Sequence, residues 1–170
     1  MAGASRIFLV GPMGAGKTTI GSQLARVLKL SFVDSDQEIE HRTGASVALI
    51  FDVEGEAGFR ERETRLIDEL SLRDGIVLAT GGGAVLAPDN RQRLRDRGFV
   101  VYLKSPVEKL VERTRFDGNR PLLRTGDPAA TLRTIVGKRE PLYQQVAHLV
   151  VDTGKLSVKQ VIKKITGNLP

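Results

Sequence analysis

The sequence contains no cysteine, which excludes a disulfide framework, a thiol nucleophile and any cysteine-based metal site. That absence suits a reducing compartment, so we expect a cytoplasmic protein. No apolar run approaches the roughly 20 residues that span a bilayer, and residues 1–6 lack the basic-then-apolar layout of a signal peptide. We therefore expect no membrane partner.

Aromatic residues are also scarce, at 5% of the chain, although the net charge is +6. A basic excess can indicate a sequence-independent nucleic-acid site, and an ATP-dependent nucleic-acid or regulatory module stays open as one hypothesis. The chain has no RNA- or DNA-binding signature and few rings on which bases could stack. Small anionic ligands explain the arginines equally well, because the guanidinium fork matches carboxylate and phosphate groups. We expect no nucleic-acid partner.

The 170 residues suffice for one compact α/β domain and are too few for two. Five short runs that are apolar on both faces alternate with helical stretches, a pattern that favours a parallel sheet covered on both sides. Two intervals do not resemble simple crossovers. Residues 37–63 are predicted to be an inserted substrate-binding module, and residues 113–126, with few apolar groups, are predicted to be a lid. The predicted strands are residues 7–10, 31–33, 76–79, 99–103 and 149–151.

Residues 11–18, GPMGAGKT, fit the phosphate-loop pattern G-x-x-x-x-G-K-[ST]. A chance match in a glycine-containing turn is the alternative, but a predicted strand precedes the loop and a helical apolar pattern follows it. In such loops backbone N–H groups surround phosphate oxygens, the lysine reaches the β- and γ-phosphates, and the hydroxyl ligates Mg²⁺. No N-K-x-D segment marks a guanine site, which argues against a switch GTPase. The predicted nucleotide-binding residues here are Gly14, Ala15, Gly16, Lys17, Thr18 and Thr19.

Two acids, Asp34 and Asp36, follow the second predicted strand. Ligands of open parallel sheets bind beyond the carboxyl ends of the strands. One acid could face Mg²⁺ through water, and the other could accept a hydrogen bond from a substrate hydroxyl and orient it for attack. Alternatively, either acid caps the following helix, which is predicted to begin near Gln37. The two histidines, His41 and His148, lack metal-ligand spacing and are interpreted as structural or surface residues.

Three arginines are candidate anion-binding groups. Arg60 follows an aromatic residue that could pack it against a pocket, whereas its neighbours Glu61 and Arg62 are expected on a solvated helix face. Arg120, in the predicted lid, could reach a transferring phosphoryl group or be an ordinary solvated loop arginine. Arg139 is a second possible anion clamp, although the residues after it could simply pack a helix end.

Three consecutive glycines, residues 81–83, follow the third predicted strand. Such a run is costly in backbone entropy and is useful where the backbone approaches a ligand closely or presents N–H groups to it. A flexible turn is the alternative. The position at a carboxyl end of a strand favours the ligand-binding interpretation.

These segments, taken in order, resemble the shikimate kinase family over nearly the whole chain. The phosphate loop alone marks a superfamily, but an ordered set of six motifs is far more specific. The family patterns are G-x-M-G-A-G-K-[ST]-T, F-x-D-[ST]-D, G-E-x-x-F-R-x-x-E, G-G-G, R-P-L-L and R-x-x-L-Y-x-x-x-A. They correspond to residues 11–19, 32–36, 55–63, 81–83, 120–123 and 139–147.

The resemblance implies a single domain over residues 1–170 with a fold like that of nucleoside monophosphate kinases. That fold is a three-layer α/β/α arrangement with a five-stranded parallel sheet in the order 2-3-1-4-5. The implied reaction moves the γ-phosphoryl group of ATP to the 3-hydroxyl of shikimate in the chorismate route to aromatic amino acids. A related P-loop kinase acting on gluconate or a nucleoside monophosphate is the alternative. We expect a monomer whose partners are ATP and shikimate.

The resemblance also implies roles on the acceptor side. Asp36 would bind the ring hydroxyls and orient or deprotonate the attacking one. Arg60 and Arg139 would grip the shikimate carboxylate. The backbone of Gly81, Gly82 and Gly83 would contact the substrate.

On the ATP side, the resemblance implies that Lys17 and Arg120 stabilise charge on the transferring phosphoryl group. Thr18 would hold Mg²⁺, with Asp34 acting through water. Thr80 stands where many P-loop enzymes have an acid, so direct carboxylate coordination is not expected. The implied adenine pocket includes Arg113 and Lys155.

Overall fold

The computed structural model describes residues 4–114 and 127–170. A parallel sheet of five strands has the order β2-β3-β1-β4-β5, as predicted. Each strand agrees with its predicted range to within one residue at either end. The strands are β1 (Arg6–Val10), β2 (Ser31–Asp34), β3 (Ile76–Ala79), β4 (Phe99–Lys104) and β5 (Leu149–Asp152).

Helices cover both faces of this sheet. Successive residues of a strand point to opposite sides, so each strand contributes side chains to both faces. Ile7 and Leu9 of β1 belong to one buried apolar cluster, and Phe8 and Val10 belong to the other. The prediction of a sheet buried on both faces is confirmed. The described helices are α1 (Lys17–Leu28), α2 (Ser35–Thr43), α3 (Val47–Leu70), α4 (Pro88–Arg97), α5 (Val107–Thr114), α6 (Pro128–Val146) and α7 (Val158–Thr166), with a 3₁₀ turn at Ala84–Leu86.

The register brings the ends of three strands to one edge. Ala79, the last residue of β3, pairs with Leu9 on one side and with Asp34 on the other. The phosphate loop, the acid pair and the glycine run therefore emerge side by side. Ligands of open parallel sheets bind at this kind of edge.

The interval 37–63 consists of α2 and the first part of α3. Helix α2 begins at Ser35, two residues before the predicted start, because Asp34 caps it. Helix α3 is interrupted at Gly55, whose φ of 75° and ψ of 175° lie in a region that glycine alone adopts readily. The two halves of α3 therefore meet at an angle, and the first half can lie over the residues of the second.

Helix α6 contributes residues to both buried apolar clusters, which lie on opposite faces of the sheet. Leu132 and Val136 pack in the same cluster as Ile7, whereas Tyr143 and Val146 pack in the cluster of Phe8. Its middle, where Arg139 lies, therefore crosses from one layer to the other. In the described ranges, no helix combines the length and the apolar composition that crossing a bilayer requires.

Candidate active site

The phosphate loop, residues 11–18, connects β1 to α1 and folds around its own lysine. Lys17 Nζ donates hydrogen bonds to the carbonyl oxygens of Gly11, at 2.7 Å, and Pro12, at 2.9 Å. Gly11 and Gly14 have positive φ, which side chains rarely allow. The loop leads directly into the N-terminus of α1, whose partial positive charge favours phosphate.

A cleft of about 430 Å³ lies at the carboxyl edge of the sheet and brings most predicted site residues together. The phosphate loop forms one part of its wall, and residues from β2, α2, α3, α5 and α6, together with Thr80 and the glycine run, form the rest. The predicted residues on the wall are Gly14, Gly16, Lys17, Thr18, Thr19, Asp34, Asp36, Arg60, Gly81, Gly82, Gly83, Arg113 and Arg139.

Two predicted residues, Ala15 and Lys155, are not on that wall, and a third lies outside the described residues. Ala15 is buried, and its N–H donates to the carbonyl oxygen of Pro12 at 3.2 Å. Lys155 is exposed in the loop after β5 and does not reach the cleft. Arg120 lies outside the described residues, as does the predicted lid apart from its first two residues. Of those two, Arg113 donates from Nη1 to the carbonyl oxygen of Gly14 at 2.9 Å.

Asp34 caps α2, one of the two roles that its sequence position suggested, and it also contacts the phosphate loop. Its Oδ1 caps α2 by accepting from the N–H of Gln37 at 3.1 Å, and its Oδ2 accepts from the Thr18 hydroxyl at 2.6 Å. A hydroxyl and a carboxylate at the phosphate loop suit Mg²⁺, which takes oxygen ligands and keeps several waters. Within the described residues no group of three or more acids or histidines could hold a metal. His148 has a structural contact, since its Nδ1 accepts from the N–H of Val100 at 2.9 Å.

At the other end of the cleft, the absence of a side chain on Gly81 brings two carboxyl groups close. A Cβ on Gly81 would lie 2.7 Å from Asp36 Oδ1 and 2.9 Å from Glu63 Oε2. Asp36 lies in the first turn of α2, whereas Glu63 lies in α3 and is only 1% exposed. Two acids thus face the same glycine from two helices.

Arg60 is held in place by acids and by aromatic rings. Its Nη1 donates to Glu63 Oε1 at 2.9 Å, and its Nε and Nη2 donate to Glu56 at 3.3 Å. Its guanidinium lies over the rings of Phe51, at 5.9 Å, and Phe59, at 5.3 Å. A guanidinium has five N–H donors, so donors remain for a ligand in the cleft.

Arg139 is the second guanidinium, and it is only 5% exposed. A Cβ on Gly82 would lie 3.7 Å from its Nη1, and a Cβ on Gly83 would collide with the guanidinium of Arg60. The glycine run therefore lets both arginines approach its backbone. Among the described residues Arg139 forms no ion pair, which leaves a buried cation beside the cleft.

Sequence reasoning assigned no role to Glu63, although the residue belongs to the charged run after Phe59. The signal was its helical spacing, because Phe59, Leu66, Ile67 and Leu70 are the other buried residues on the same part of α3. A carboxyl group in that stripe is unusual. Burial raises the pKa of Glu63 to about 7, against the opposing attraction of Arg60, and the charge of Asp36 adds to the rise. In contrast, Glu61 and Arg62 are exposed, as predicted.

As pH rises from 5 to 8, wild-type protein should lose stability relative to a Glu63→Gln variant. The folded state keeps a proton on Glu63 up to a pKa of about 7, whereas the unfolded chain releases it near the ordinary 4.5. Between these values the folded state binds more protons, so stability falls as pH rises. Urea denaturation should show the difference between the two free energies of unfolding changing by about 2 to 3 kcal/mol.

Glu61→Gln is the matched control, because Glu61 lies on the exposed side of the same helix, paired with Arg65. That variant should keep the wild-type pH dependence. Parallel pH curves for wild type and Glu63→Gln would contradict a raised pKa for the buried Glu63.

Comparison with known proteins agrees with this geometry. A family model described as "Shikimate kinase" matches residues 13–170. The shikimate kinase of Halorhodospira halophila is 57% identical over 161 residues, which cover 95% of this chain and 91% of that protein. The shikimate kinase of Bordetella pertussis is 56% identical over 163 residues, which cover 96% of this chain and 77% of that protein.

Solved structures give the same result. Shikimate kinase from Acinetobacter baumannii, in complex with shikimate, superimposes with a TM-score of 0.93 at 50% identity, covering 95% of this chain and 90% of that one. Deoxyadenosine kinase from M. mycoides, at 15% identity and a TM-score of 0.62, shares the fold alone; it covers 95% of this chain and 97% of its own. On the family match and the close relatives, this chain belongs to the shikimate kinase family.

Proposed function

We propose that this protein transfers the γ-phosphoryl group of ATP to the 3-hydroxyl of shikimate, giving shikimate 3-phosphate and ADP in the chorismate route. The observation that carries the proposal is one cleft with a phosphate loop at one end and two guanidiniums with an acid at the other. Shikimate carries one carboxylate and three hydroxyls. Arginines match the carboxylate, and an aspartate can accept from a hydroxyl.

On the acceptor side, Arg60 and Arg139 bind the carboxylate, and Asp36 accepts the proton of the attacking hydroxyl or orients that hydroxyl. Glu63 acts on Arg60, because their ion pair fixes one edge of the guanidinium and leaves other donors for the substrate. The N–H groups of Gly82 and Gly83 have no acceptor among the described residues, which leaves them available to the substrate.

On the donor side, the phosphate loop holds ATP, and Lys17 exchanges its carbonyl contacts for the β- and γ-phosphates. Arg113 lies beside the loop and contributes to the nucleotide site, together with Arg120. Thr18 and, through water, Asp34 would hold Mg²⁺. The ion, when bound, would offset charge on the phosphate oxygens.

An ADP-release assay with shikimate, gluconate, a nucleoside monophosphate or no acceptor tests the proposal. We expect ADP release above background with shikimate alone, because a site whose buried polar groups match one substrate discriminates strongly against others. ADP release driven by gluconate or a nucleotide instead would assign the protein to another acceptor. The same preparation, tested for salt-sensitive binding to DNA or RNA, examines the nucleic-acid alternative.

We also infer that the protein acts as a monomer in the cytoplasm. One chain supplies a phosphate loop, two guanidiniums and an acid to the cleft, so the proposed reaction requires no residue from a second copy, and ATP is a cytoplasmic metabolite. Sedimentation of the purified protein at working concentration should give a mass near 18.5 kDa.

A further inference from the structure

Tyr143 lies beneath the glycine run, on the same helix as Arg139. The two residues are four positions apart in α6, so their side chains lie on one face of that helix. Tyr143 is fully buried, and its ring stacks on Tyr102 with ring centroids 5.0 Å apart. Its hydroxyl donates to the carbonyl oxygen of Gly82 at 2.6 Å.

Hydrogen bonds hold the glycine run along its carbonyl groups and leave two of its N–H groups available. The carbonyl oxygens of Gly81 and Gly83 accept from the N–H groups of Ala84, at 3.0 Å, and Leu86, at 3.1 Å. These donors belong to the adjoining 3₁₀ turn. The Gly82 carbonyl depends instead on a side chain from another element, Tyr143. Glycine has the greatest backbone freedom of any residue, so this peptide needs an external contact to fix its direction.

The direction of that carbonyl sets the direction of the next N–H. A peptide bond is planar, and in its trans form the C=O and N–H point opposite ways. The hydrogen bond to Gly82 therefore fixes where the N–H of Gly83 points. Gly83 lines the cleft, and a side chain there would collide with Arg60.

Arg139 lies beside the same peptide, since a Cβ on Gly82 would be 3.7 Å from its Nη1. Burial raises the pKa of Tyr143 to about 12, while the charge of Arg139 opposes the rise. The phenol thus remains a donor at working pH, and its hydrogen bond to Gly82 holds the peptide that Arg139 adjoins.

We propose that Tyr143 is a positioning residue for shikimate: its hydroxyl holds the Gly82 peptide beside Arg139, and so fixes a substrate-facing N–H group next to a carboxylate-binding guanidinium. Tyr143 does not touch the substrate. The inference depends on the proposed function, because it assigns the substrate that this arrangement receives. It predicts a selective loss of shikimate binding when only the hydroxyl is removed.

The experiment compares Tyr143→Phe with Tyr102→Phe. Each variant keeps both aromatic rings of the stacked pair and loses one hydroxyl group. The Tyr102 hydroxyl donates to Glu140, which also interacts with Gln144 and Lys104 outside the glycine run. In Tyr143→Phe we expect the KM for shikimate to rise about fivefold to tenfold, the loss typical of one hydrogen bond. The KM for ATP should change less than about twofold in both variants, and Tyr102→Phe should keep the wild-type KM for shikimate.

An unchanged KM for shikimate in Tyr143→Phe, or equal rises in both KM values, would overturn the positioning role. Wild-type protein without shikimate-dependent turnover would instead overturn the proposed function, so the two failures are distinguishable.

A second measurement follows the wild-type protein and does not require Tyr143→Phe to fold. The chain has two tyrosines, so 3-fluorotyrosine labelling gives two ¹⁹F signals, and Tyr102→Phe assigns them. Shikimate should shift the Tyr143 signal more than the Tyr102 signal. An unmoved Tyr143 signal at saturating shikimate would contradict the coupling of Tyr143, through the glycine run, to the substrate site.

Discussion

Replacement of Asp36 by asparagine should lower kcat with shikimate by about 10² to 10⁴, the usual contribution of a positioned acid or base, and should leave ATP binding unchanged. Asparagine keeps the shape of the side chain and one acceptor oxygen. It loses the negative charge and the capacity to take a proton. The variant therefore separates substrate contact from proton acceptance.

The position of Asp36 explains why the effect should be large. Its carboxyl group faces Gly81 in the acceptor half of the cleft, opposite the phosphate loop. It lies next to Glu63, whose carboxyl is buried and carries the raised pKa. Glu63 is engaged with Arg60, and we assign the attacking hydroxyl to Asp36.

Asp96→Asn is the matched control for Asp36→Asn. Asp96 is exposed on α4, and its replacement removes the same charge elsewhere. Steady-state kinetics should show wild-type kcat in the control, and calorimetric titration should show wild-type affinity for an ATP analogue in both variants. Full turnover in Asp36→Asn would remove Asp36 from the proton-accepting role.

The fold could be predicted because its signals are local. Five short runs, apolar on both faces, allow buried strands of a parallel sheet, and residues 11–18 carry a motif that fixes a strand, a loop and a helix. The order of the strands, in contrast, rests on long-range packing. It followed from the family resemblance rather than from composition or periodicity.

The less predictable parts of the site depend on contacts between distant segments. Glu63 and Arg62 both lie in a charged run, and only the packing of α3 shows that one is buried and the other exposed. Tyr143 lies in the segment after Arg139, and from the sequence alone that segment could simply pack a helix end. Its hydrogen bond to Gly82 joins residues 61 positions apart, and no local pattern reports such a pair.

Replacement of Arg139 by methionine should raise the KM for shikimate by a factor of 100 or more. Loss of one partner of a buried charge pair costs about 3 to 5 kcal/mol, and about 1.4 kcal/mol corresponds to tenfold in affinity. Arg139 is buried at the cleft and forms no ion pair among the described residues. The shikimate carboxylate would supply the missing partner.

The same substitution should not destabilise the ligand-free protein. A buried charge without an ionic partner carries a desolvation penalty, and apolar residues of similar size are often neutral or stabilising in its place. Urea denaturation of Arg139→Met should therefore give a free energy of unfolding no lower than that of wild type. Arg133→Met, on the exposed side of the same helix, should keep both the stability and the KM for shikimate.

Measured together, stability and KM distinguish two roles for this guanidinium. If Arg139 served mainly to pack α6 against the glycine run, its removal would lower the free energy of unfolding and alter both KM values. If it serves to bind a carboxylate, the ligand-free protein keeps its stability and shikimate binding alone is lost. A KM for shikimate within twofold of wild type, whatever the stability, would remove Arg139 from the carboxylate clamp, because roughly 0.4 kcal/mol is far below the cost of an abandoned buried charge.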